Sequence, residues 1–218
     1  MAEKIIIDTD IGDDIDDALA LALALRSPEL ELLGITTVFK NTGLRAGIAR
    51  SLLKTVGAGD IPVVPGLGKP LQNTADCGEV PPQYQDRMGG DGPFRPGDAV
   101  DYLIESVESR PGEVTLVPIG ALTNIAAALV KAPEIKDEIR HIVLMGGAYY
   151  THKNEWNIVC DPEAARIVFD AGVPILGVGL DVTLRCCLSE EETARLMGSA
   201  GPLGDFLGTL ISLYKERS

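Results

Sequence analysis

Short, almost wholly apolar segments alternate along the chain with longer segments that carry apolar residues at helical spacing. The short segments are rich in β-branched residues, which is typical of strands buried on both faces of a parallel sheet. They predict strands over Lys4–Asp8, Leu30–Val38, Pro62–Pro65, Glu113–Ile119, His141–Met145 and Pro174–Leu180. The longer segments predict helices over Asp16–Arg26, Leu44–Val56, Asp98–Ser109, Leu122–Lys131, Pro162–Ala171, Ser189–Gly198 and Pro202–Lys215.

This alternation predicts an α/β fold of three layers, in which a doubly wound, mostly parallel, Rossmann-like sheet lies between helices. A length of 218 residues suits one such domain. The segment Gly66–Pro96 departs from the alternation, because it is rich in Gly, Pro, Gln and Asp and has little periodicity. Long loops of this kind are usually functional or mobile, and we expect the same here.

Acidic residues are concentrated where the first predicted strand gives way to the first predicted helix. Asp8 ends the strand, and five more aspartates follow it: Asp10, Asp13, Asp14, Asp16 and Asp17. Neighbouring carboxylates raise one another's pKa unless a cation lies among them. One or two aspartates would fit a role as helix caps or dipole partners. Five favour a hard divalent cation, Ca²⁺ or Mg²⁺, with oxygen ligands.

The net charge of −13 argues against a nucleic-acid backbone or an anionic membrane as a partner. The chain enters a strand soon after Met1, without the long apolar region of a signal peptide. The Ala/Leu run at 18–25 is too short to span a bilayer. The four cysteines have no zinc-site spacing, so we expect reduced thiols in a cytoplasmic protein.

Polar residues also follow the other predicted strands. Asn41 follows the second strand, Thr123 the fourth, and the segment from Met145 to Asn157 the fifth. The carboxyl ends of parallel strands meet at one edge of the sheet, where open α/β folds bind ligands. Asn41 is also a good turn former, and Thr123 also suits a helix N-cap. Glu155 and Asn157 are two residues apart, so on an extended segment they would face the same side.

Six blocks of residues, in order along almost the whole chain, resemble the inosine–uridine-preferring nucleoside hydrolases. The blocks are Asp8–Gly12 with Asp16–Leu21, Ile35–Val38 with Asn41, Pro118–Asn124, Val143–Ala148, Glu155–Ala165 and Gly179–Thr183. One block would be a weak signal, whereas six in the family's order are specific. The resemblance implies the nucleoside hydrolase fold. It also implies hydrolysis of the N-glycosidic bond of ribonucleosides to ribose and free base.

The resemblance implies roles for individual residues as well. Asp10, Asp17 and the main-chain carbonyl of Thr123 resemble the ligands of a tightly bound Ca²⁺. Asp16 resembles the general base that activates the calcium-bound water. The residues that resemble ribose contacts are Asn41, Met145, Glu155 and Asn157, with Asn154 as the nearest candidate for a further asparagine. Chelation of the 2′- and 3′-hydroxyls would favour ribose over 2′-deoxyribose.

The acidic segment departs from the family pattern in its length. Three residues separate Gly12 from the Asp-Asp-Ala run, where the family's shorter signature has one. Alignment from the helix keeps the register of that run and makes Asp16 the base. Alignment from the strand makes it Asp14. We prefer Asp16 and keep Asp14 as the alternative.

Family members continue beyond the length of this chain, to a block that carries a His-Asp pair. On this resemblance, residues 1–218 form a single nucleoside-hydrolase-like α/β domain that lacks the carboxyl-terminal block. The resemblance further implies a homo-oligomer that acts on ribonucleosides in nucleoside salvage. It leaves the preferred base open, because base contacts come from variable loops.

Two other interpretations account for part of the pattern. A Mg²⁺-dependent phosphohydrolase of the haloacid dehalogenase type also has Asp-x-Asp after its first strand. That class needs a later Asp-Asp pair, which this sequence does not contain. A catalytically impaired or binding-only homologue is the second alternative, because the His-Asp block is not present.

Overall fold

The structure is a computed structural model that describes residues 2–72, 78–89, 92–198 and 201–217. Its centre is a sheet of six strands in which every neighbouring pair runs parallel. The strands are β1 (Glu3–Thr9), β2 (Leu30–Thr37), β3 (Val63–Pro65), β4 (Val114–Pro118), β5 (His141–Met145) and β6 (Ile175–Val178). Each coincides with one of the apolar segments, so the predicted parallel α/β sheet is confirmed.

The helices lie between the strands and after the last one. They are α1 (Asp16–Arg26), α2 (Thr42–Thr55), α3 (Ala99–Glu108), α4 (Thr123–Lys131), α5 (Trp156–Cys160), α6 (Pro162–Asp170), α7 (Leu180–Thr183), α8 (Glu190–Met197) and α9 (Pro202–Arg217). Helical periodicity predicted all of these except α5 and α7, which are too short to have a periodic pattern. Two short 3-10 helices cover Asp86–Met88 and Pro133–Asp137.

The strand order, β3-β2-β1-β4-β5-β6, changes direction at β1. The chain adds β2 and β3 on one side of β1 and then returns to add β4 on the other, which creates a topological switch point between β1 and β4. Asp8 is level with Thr36 on β2 and with Pro118 on β4. The backbone N–H of Ile119 donates to the carbonyl of Asp8 at 2.8 Å. The loops after β1 and β4 therefore leave the sheet side by side.

The side chains of β1 alternate between two apolar cores, one on each face of the sheet. Ile6 packs with apolar residues of α3, α4 and α6. Ile5 and Ile7 pack with apolar residues of α1, α2 and α9. This alternation follows from the pleat of a strand, and it gives the three layers that the sequence predicts.

Two local predictions were wrong. The last predicted strand was to end at Leu180, but β6 ends at Val178 and Leu180 is the first residue of α7. Glu155 and Asn157 do not share an extended segment, because Glu155 is the N-cap of α5 and Asn157 lies inside that helix. The cause is local: the Glu155 carboxylate accepts the backbone N–H groups of Asn157 and Ile158, which starts a helix at this point.

The segment Gly66–Pro96 lies in part outside the described residues, as does Cys77. Where it is described, Gln83 is fully buried and packs against the loop after β1. Cys160, Cys186 and Cys187 are free thiols. In the part of the chain that the structure describes, no helix combines the length and apolarity needed to cross a bilayer.

Candidate active site

A cavity of about 580 Å³ opens at the carboxyl edge of the sheet, beside the switch point between β1 and β4. One wall is formed by residues 10–17, which we call the acidic loop. The other walls come from the segment after β5, from α7 and the residues that follow it in the chain, and from α9. The predicted site residues that line it are Asp10, Asp16, Asp17, Met145, Asn154, Glu155 and Asn157. Asn41 and Thr123, which were also predicted for the site, are not part of this lining.

The aspartates of the acidic loop differ in exposure. Asp10 and Asp17 are each only 8% exposed, whereas Asp14 and Asp16 are open to solvent on the cavity wall. Helix capping does not account for them, because α1 has Ile15 at its N-cap and no side-chain cap bond. The acidic side chains therefore line the cavity instead of capping the helix.

Burial dominates the electrostatics of the two enclosed carboxylates. It raises the pKa of Asp10 to about 7; the guanidinium of Arg45 acts in the opposite direction, and neighbouring aspartates add to the increase. Burial also raises the pKa of Asp17 well above its ordinary value, with the charge of Asp10 as the next cause. The hydroxyl of Thr9 offsets part of this by donating to Asp17 Oδ1 at 2.5 Å. A cation between two such carboxylates would relieve their repulsion.

Arg45 of α2 lies beside the acidic loop, and its side chain is fully buried. Its Nη1 donates to the main-chain carbonyls of Asp10 and Ile11. Its Nη2 forms a salt bridge with Asp13 Oδ2 at 2.8 Å. Its Nε donates to the carbonyl of Phe39 at 2.7 Å, in the turn after β2. One guanidinium therefore joins the loops that follow β1 and β2.

Gln83 holds the acidic loop at other points. Its backbone N–H donates to the carbonyl of Gly12 at 3.0 Å, and its side-chain amide donates to the carbonyl of Asp14 at 2.9 Å. Gly12 has a φ of 119°, and a Cβ there would lie 2.7 Å from Ile48 Cδ1 and 2.7 Å from Pro81 Cβ. Only glycine suits both the backbone conformation and the space. The segment Gly66–Pro96 thus contributes directly to the shape of the loop.

Asp8 forms a second, deeper layer beneath the acidic loop. Its Oδ1 accepts hydrogen bonds from Thr36 Oγ1 at 2.6 Å and from Asn124 Nδ2 at 2.8 Å. Burial raises the pKa of Asp8 to about 6, and these two hydrogen bonds act against that increase. The side-chain oxygen of Asn124 accepts the backbone N–H of Leu67 at 2.8 Å. This network joins the ends of β1 and β2 to the first turn of α4.

Glu155 is 4% exposed, and three backbone N–H groups hold its carboxylate. Oε1 accepts from Asn157 at 2.8 Å, and Oε2 accepts from Ile158 at 3.0 Å and from Gly147 at 3.1 Å. The carboxylate therefore has a fixed orientation at the cavity wall. It also connects the loop after β5 to the start of α5.

Asn157 connects the loops after β4 and β5. Its Nδ2 donates to the carbonyl of Ile119 at 2.9 Å and to that of Met145 at 3.1 Å. Trp156 lies on the cavity wall with 60% of its surface exposed. Its ring meets that of Phe39 edge to face, with 6.5 Å between the ring centroids.

The two predicted site residues outside the cavity lining have structural contacts. Asn41 is the N-cap of α2, and its Oδ1 accepts the backbone N–H of Leu44 at 3.2 Å. The prediction that Thr123 caps α4 was wrong, because the N-cap is Leu122 and it has no side-chain cap bond. The hydroxyl of Thr123 donates instead to Asp161 Oδ2 at 2.8 Å. Asp161 is buried and is the N-cap residue of α6.

The carboxylate oxygens at the cavity wall are the kind of ligand that a hard cation binds. Asp10 and Asp17 supply buried carboxylate oxygens whose raised pKa values a cation would lower. Within the described ranges, no group of three or more His, Cys, Asp or Glu side chains is arranged to hold a metal ion. Ca²⁺ takes about six to eight oxygen ligands. The others would have to be main-chain carbonyls, water or hydroxyls of a substrate.

Several residues of the site were not predicted. Arg45 lies three, four and seven residues before Ile48, Ala49 and Leu52 on the buried stripe of α2, so helical periodicity alone places a charge among apolar side chains. The sequence could therefore have indicated that Arg45 is buried and paired, since a buried Arg needs partners. Tyr214 reaches the cavity from α9. No local pattern predicts that, because the contact depends on how distant elements pack.

Comparison with protein families and curated sequences gives a consistent result. The family model described as inosine-uridine preferring nucleoside hydrolase matches residues 5–218. A protein of Arabidopsis thaliana named probable uridine nucleosidase 2 is 38% identical over 229 residues, which cover 98% of this chain and 70% of that protein. A pyrimidine-specific ribonucleoside hydrolase of Escherichia coli is 37% identical over 222 residues, which cover 96% of this chain and 69% of that protein.

Solved structures of nucleoside hydrolases are similar to this fold over nearly the whole chain. A purine-preferring ribonucleoside hydrolase from Gardnerella vaginalis has a TM-score of 0.81 and 39% identity, over 98% of this chain and 72% of that one. A plant nucleoside hydrolase has a TM-score of 0.80 and 35% identity, over 98% of this chain and 71% of that one.

Proposed function

We propose that this chain, which belongs to the inosine-uridine preferring nucleoside hydrolase family, hydrolyses ribonucleosides in the cavity at the carboxyl ends of β1 and β4. The bond cleaved is the N-glycosidic bond, and the products are ribose and the free base. The observation that carries this assignment is a pair of buried carboxylates, Asp10 and Asp17, in a cavity also lined by Glu155 and Asn157.

The acidic wall suits the charge that develops in this reaction. Cleavage of a glycosidic bond passes through an oxocarbenium-like transition state, in which the sugar ring becomes positive. Carboxylates held in a fixed orientation stabilise such a charge without reorganising. Glu155, whose oxygens accept three backbone N–H groups, has that property. The proposed ribose contacts are Met145, Asn154, Glu155 and Asn157, and also Asn41, which rests on the resemblance alone.

We assign a Ca²⁺ ion to Asp10, Asp17 and the main-chain carbonyl of Thr123. When bound, the ion would lower the pKa of the attacking water and bind the vicinal hydroxyls of ribose. The buried oxygen donors and their raised pKa values support a hard cation. The assignment of Thr123 and the choice of calcium over magnesium rest on the family resemblance.

Two aspartates compete for the role of general base. Asp16 is the first candidate, because it lies on the cavity wall next to Asp17 and is open to solvent. Asp14 is the alternative from the other alignment and also lines the cavity.

We propose ribonucleosides as the substrate class and assign no preferred base. Relatives of similar identity carry names that specify uridine, pyrimidines or purines, so similarity alone does not choose among them. We also propose a cytoplasmic homo-oligomer that serves nucleoside salvage. A nucleic acid or a membrane does not suit the net charge of −13.

The competing interpretations are not favoured. The family match covers residues 5–218 and names a hydrolase of nucleosides, which argues against a phosphohydrolase. Relatives at 37–38% identity over nearly the whole chain are named as a nucleosidase and a ribonucleoside hydrolase, which argues against a catalytically impaired or binding-only homologue.

The test is release of ribose from inosine and from uridine, measured with added Ca²⁺ and again with a chelator. We expect release that depends on calcium, and much slower release from 2′-deoxyuridine, which lacks one chelated hydroxyl. Release that persists undiminished in the chelator would refute the calcium assignment. No release from either nucleoside, by protein whose folding circular dichroism verifies, would refute the hydrolase assignment.

A further inference from the structure

Arg45 is a buried cation that contacts the acidic loop more extensively than its position on α2 requires. Three of its four acceptors belong to that loop: the carbonyls of Asp10 and Ile11 and the carboxylate of Asp13. Its fourth acceptor is the carbonyl of Phe39. A fully buried Arg is rare unless it is paired, and here the pairing is with the main chain of a proposed metal ligand.

The acidic loop has an electrostatic reason to open when no cation is bound. Asp10 and Asp17 are both buried at this loop, and like charges held close together destabilise the loop conformation that brings them together. Arg45 supplies a full positive charge that contacts the loop through several hydrogen bonds. It binds the carbonyls of Asp10 and Ile11, which fixes the backbone from which the Asp10 side chain extends.

We propose that Arg45 is a positioning residue that holds the acidic loop in its cation-binding shape before any cation is bound. This inference rests on the proposed function, because it concerns the same calcium site. Arg45 does not line the cavity, so it acts through Asp10 and Asp13 and not on the substrate.

The chemistry of the guanidinium explains why this position carries Arg. A guanidinium presents five N–H donors in a rigid planar fork, whereas a lysine ammonium is a single point of charge. Here Nε, Nη1 and Nη2 all donate, and they do so in different directions. Lys at this position would keep the charge but could not reach all four acceptors.

The proposal and simple electrostatics predict opposite changes in calcium affinity when the charge of Arg45 is removed. Removing a positive charge next to a cation site should, by Coulomb's law alone, tighten cation binding. Loss of a positioning contact should weaken it, and residues that orient metal ligands typically account for about 10–100-fold in metal affinity. The direction of the change in calcium affinity therefore separates the two effects.

The experiment is titration calorimetry of calcium binding by the unaltered protein and by the variants Arg45→Met, Arg45→Lys and Arg50→Met. Arg50 is the matched control, because it lies on the same helix and donates to the carbonyl of Val63, away from the acidic loop. We expect Arg45→Met to raise the Kd for calcium at least about tenfold and Arg45→Lys to fall between it and the unaltered protein. Arg50→Met should stay within about twofold of the unaltered protein.

A Kd that is unchanged or lowered in Arg45→Met overturns the proposal, as does an equal rise in Arg50→Met. If the unaltered protein binds no calcium, the calcium site itself fails, and this role of Arg45 fails with it. Calcium binding that is intact in Arg45→Met refutes only the role of Arg45.

A second measurement uses the unaltered protein alone, in case the variants do not fold. In the loop conformation that the structure shows, the backbone N–H of Ile11 donates to Thr9 Oγ1 at 3.1 Å. We expect slow hydrogen exchange at Ile11 in calcium-free protein, comparable with its exchange after calcium is added. Exchange at the unprotected rate until calcium is added would overturn the proposal. The amide of Ile35, bonded to the carbonyl of Pro62 in the sheet, serves as the internal reference.

Discussion

The hydroxyl of Thr9 lies 2.5 Å from Asp17 Oδ1 and donates a hydrogen bond to it. This bond joins the last residue of β1 to the first turn of α1, across the whole acidic loop. The same hydroxyl accepts the backbone N–H of Ile11 at 3.1 Å. One small side chain therefore orients a proposed calcium ligand and closes the loop between strand and helix.

Thr9→Val should destabilise the protein and weaken calcium binding. The substitution keeps the shape of the side chain but leaves the buried Asp17 carboxylate and the Ile11 amide without this partner, at a cost of about 1–3 kcal/mol. Chemical denaturation measures the loss. Thr9→Ser retains the hydroxyl and is the control, expected to lose much less. Equal stability of Thr9→Val and the unaltered protein would contradict this role.

Gly12→Ala should distort the acidic loop. The added Cβ would lie 2.7 Å from both Ile48 and Pro81, at a φ of 119° that disfavours a side chain. We expect a loss of at least about 2 kcal/mol in the free energy of unfolding, together with weaker calcium binding. Gly57→Ala is the control, because Gly57 also has a positive φ of 72° but nothing within 4 Å of the new Cβ. It should cost only about 1 kcal/mol and leave calcium binding intact.

Asp16→Asn tests the general base, and Asp10→Asn shows for comparison what loss of a calcium ligand does. If Asp16 is the base, its variant should lose at least about 100-fold in kcat while its calcium affinity stays near that of the unaltered protein. Asp10→Asn should lower both kcat and calcium affinity, because it removes a proposed calcium ligand. Steady-state kinetics with calorimetry measures the two quantities. Undiminished kcat in Asp16→Asn would transfer the role to Asp14, which also lines the cavity.

Without calcium, the protein should lose stability as the pH rises. Burial raises the pKa of Asp10 from 3.8 to about 7, so the folded chain keeps a proton that the unfolded chain releases. This contribution to stability is fully present below 3.8 and is lost as the pH rises through about 7. Between about pH 5.5 and about pH 8, the Tm in a chelator should therefore fall.

Calcium should restore the Tm at the higher pH, because it binds only the folded chain with its carboxylates ionised. Asp10→Asn is the control and should reduce the fall in Tm, since the variant has no proton to lose at that position. A Tm in the chelator that is equal or higher at the higher pH would contradict this account of the acidic loop.

The local sequence pattern was sufficient for most of the fold. Apolar, β-branched runs predict the strands, and helical spacing predicts the longer helices, because burial on both faces or along one stripe imposes those patterns. It was not sufficient for α5. There Glu155 accepts backbone N–H groups and starts a helix, and a single capping side chain leaves no periodic trace.

The lining of the candidate cavity was predicted in part, for a related reason. Asp10, Asp17, Glu155 and Asn157 were identifiable, since they follow strands whose carboxyl ends share one edge of the sheet. Thr123 was predicted as a helix cap, and its hydroxyl instead bonds to Asp161, 38 residues further along. Nothing near Thr123 in the sequence could reveal that partner.

The sequence by itself determined the parallel sheet, the acidic loop at the end of its first strand and the family resemblance. These features depend on residues close together in the chain, because their spacing sets the face of a strand or helix on which each side chain lies. Only the tertiary structure decided which of the clustered aspartates are buried, that Arg45 binds the loop from α2, and that Tyr214 of α9 reaches the cavity. The pKa of a carboxylate depends on desolvation and on nearby charges, and both are set by segments that meet only when the chain folds.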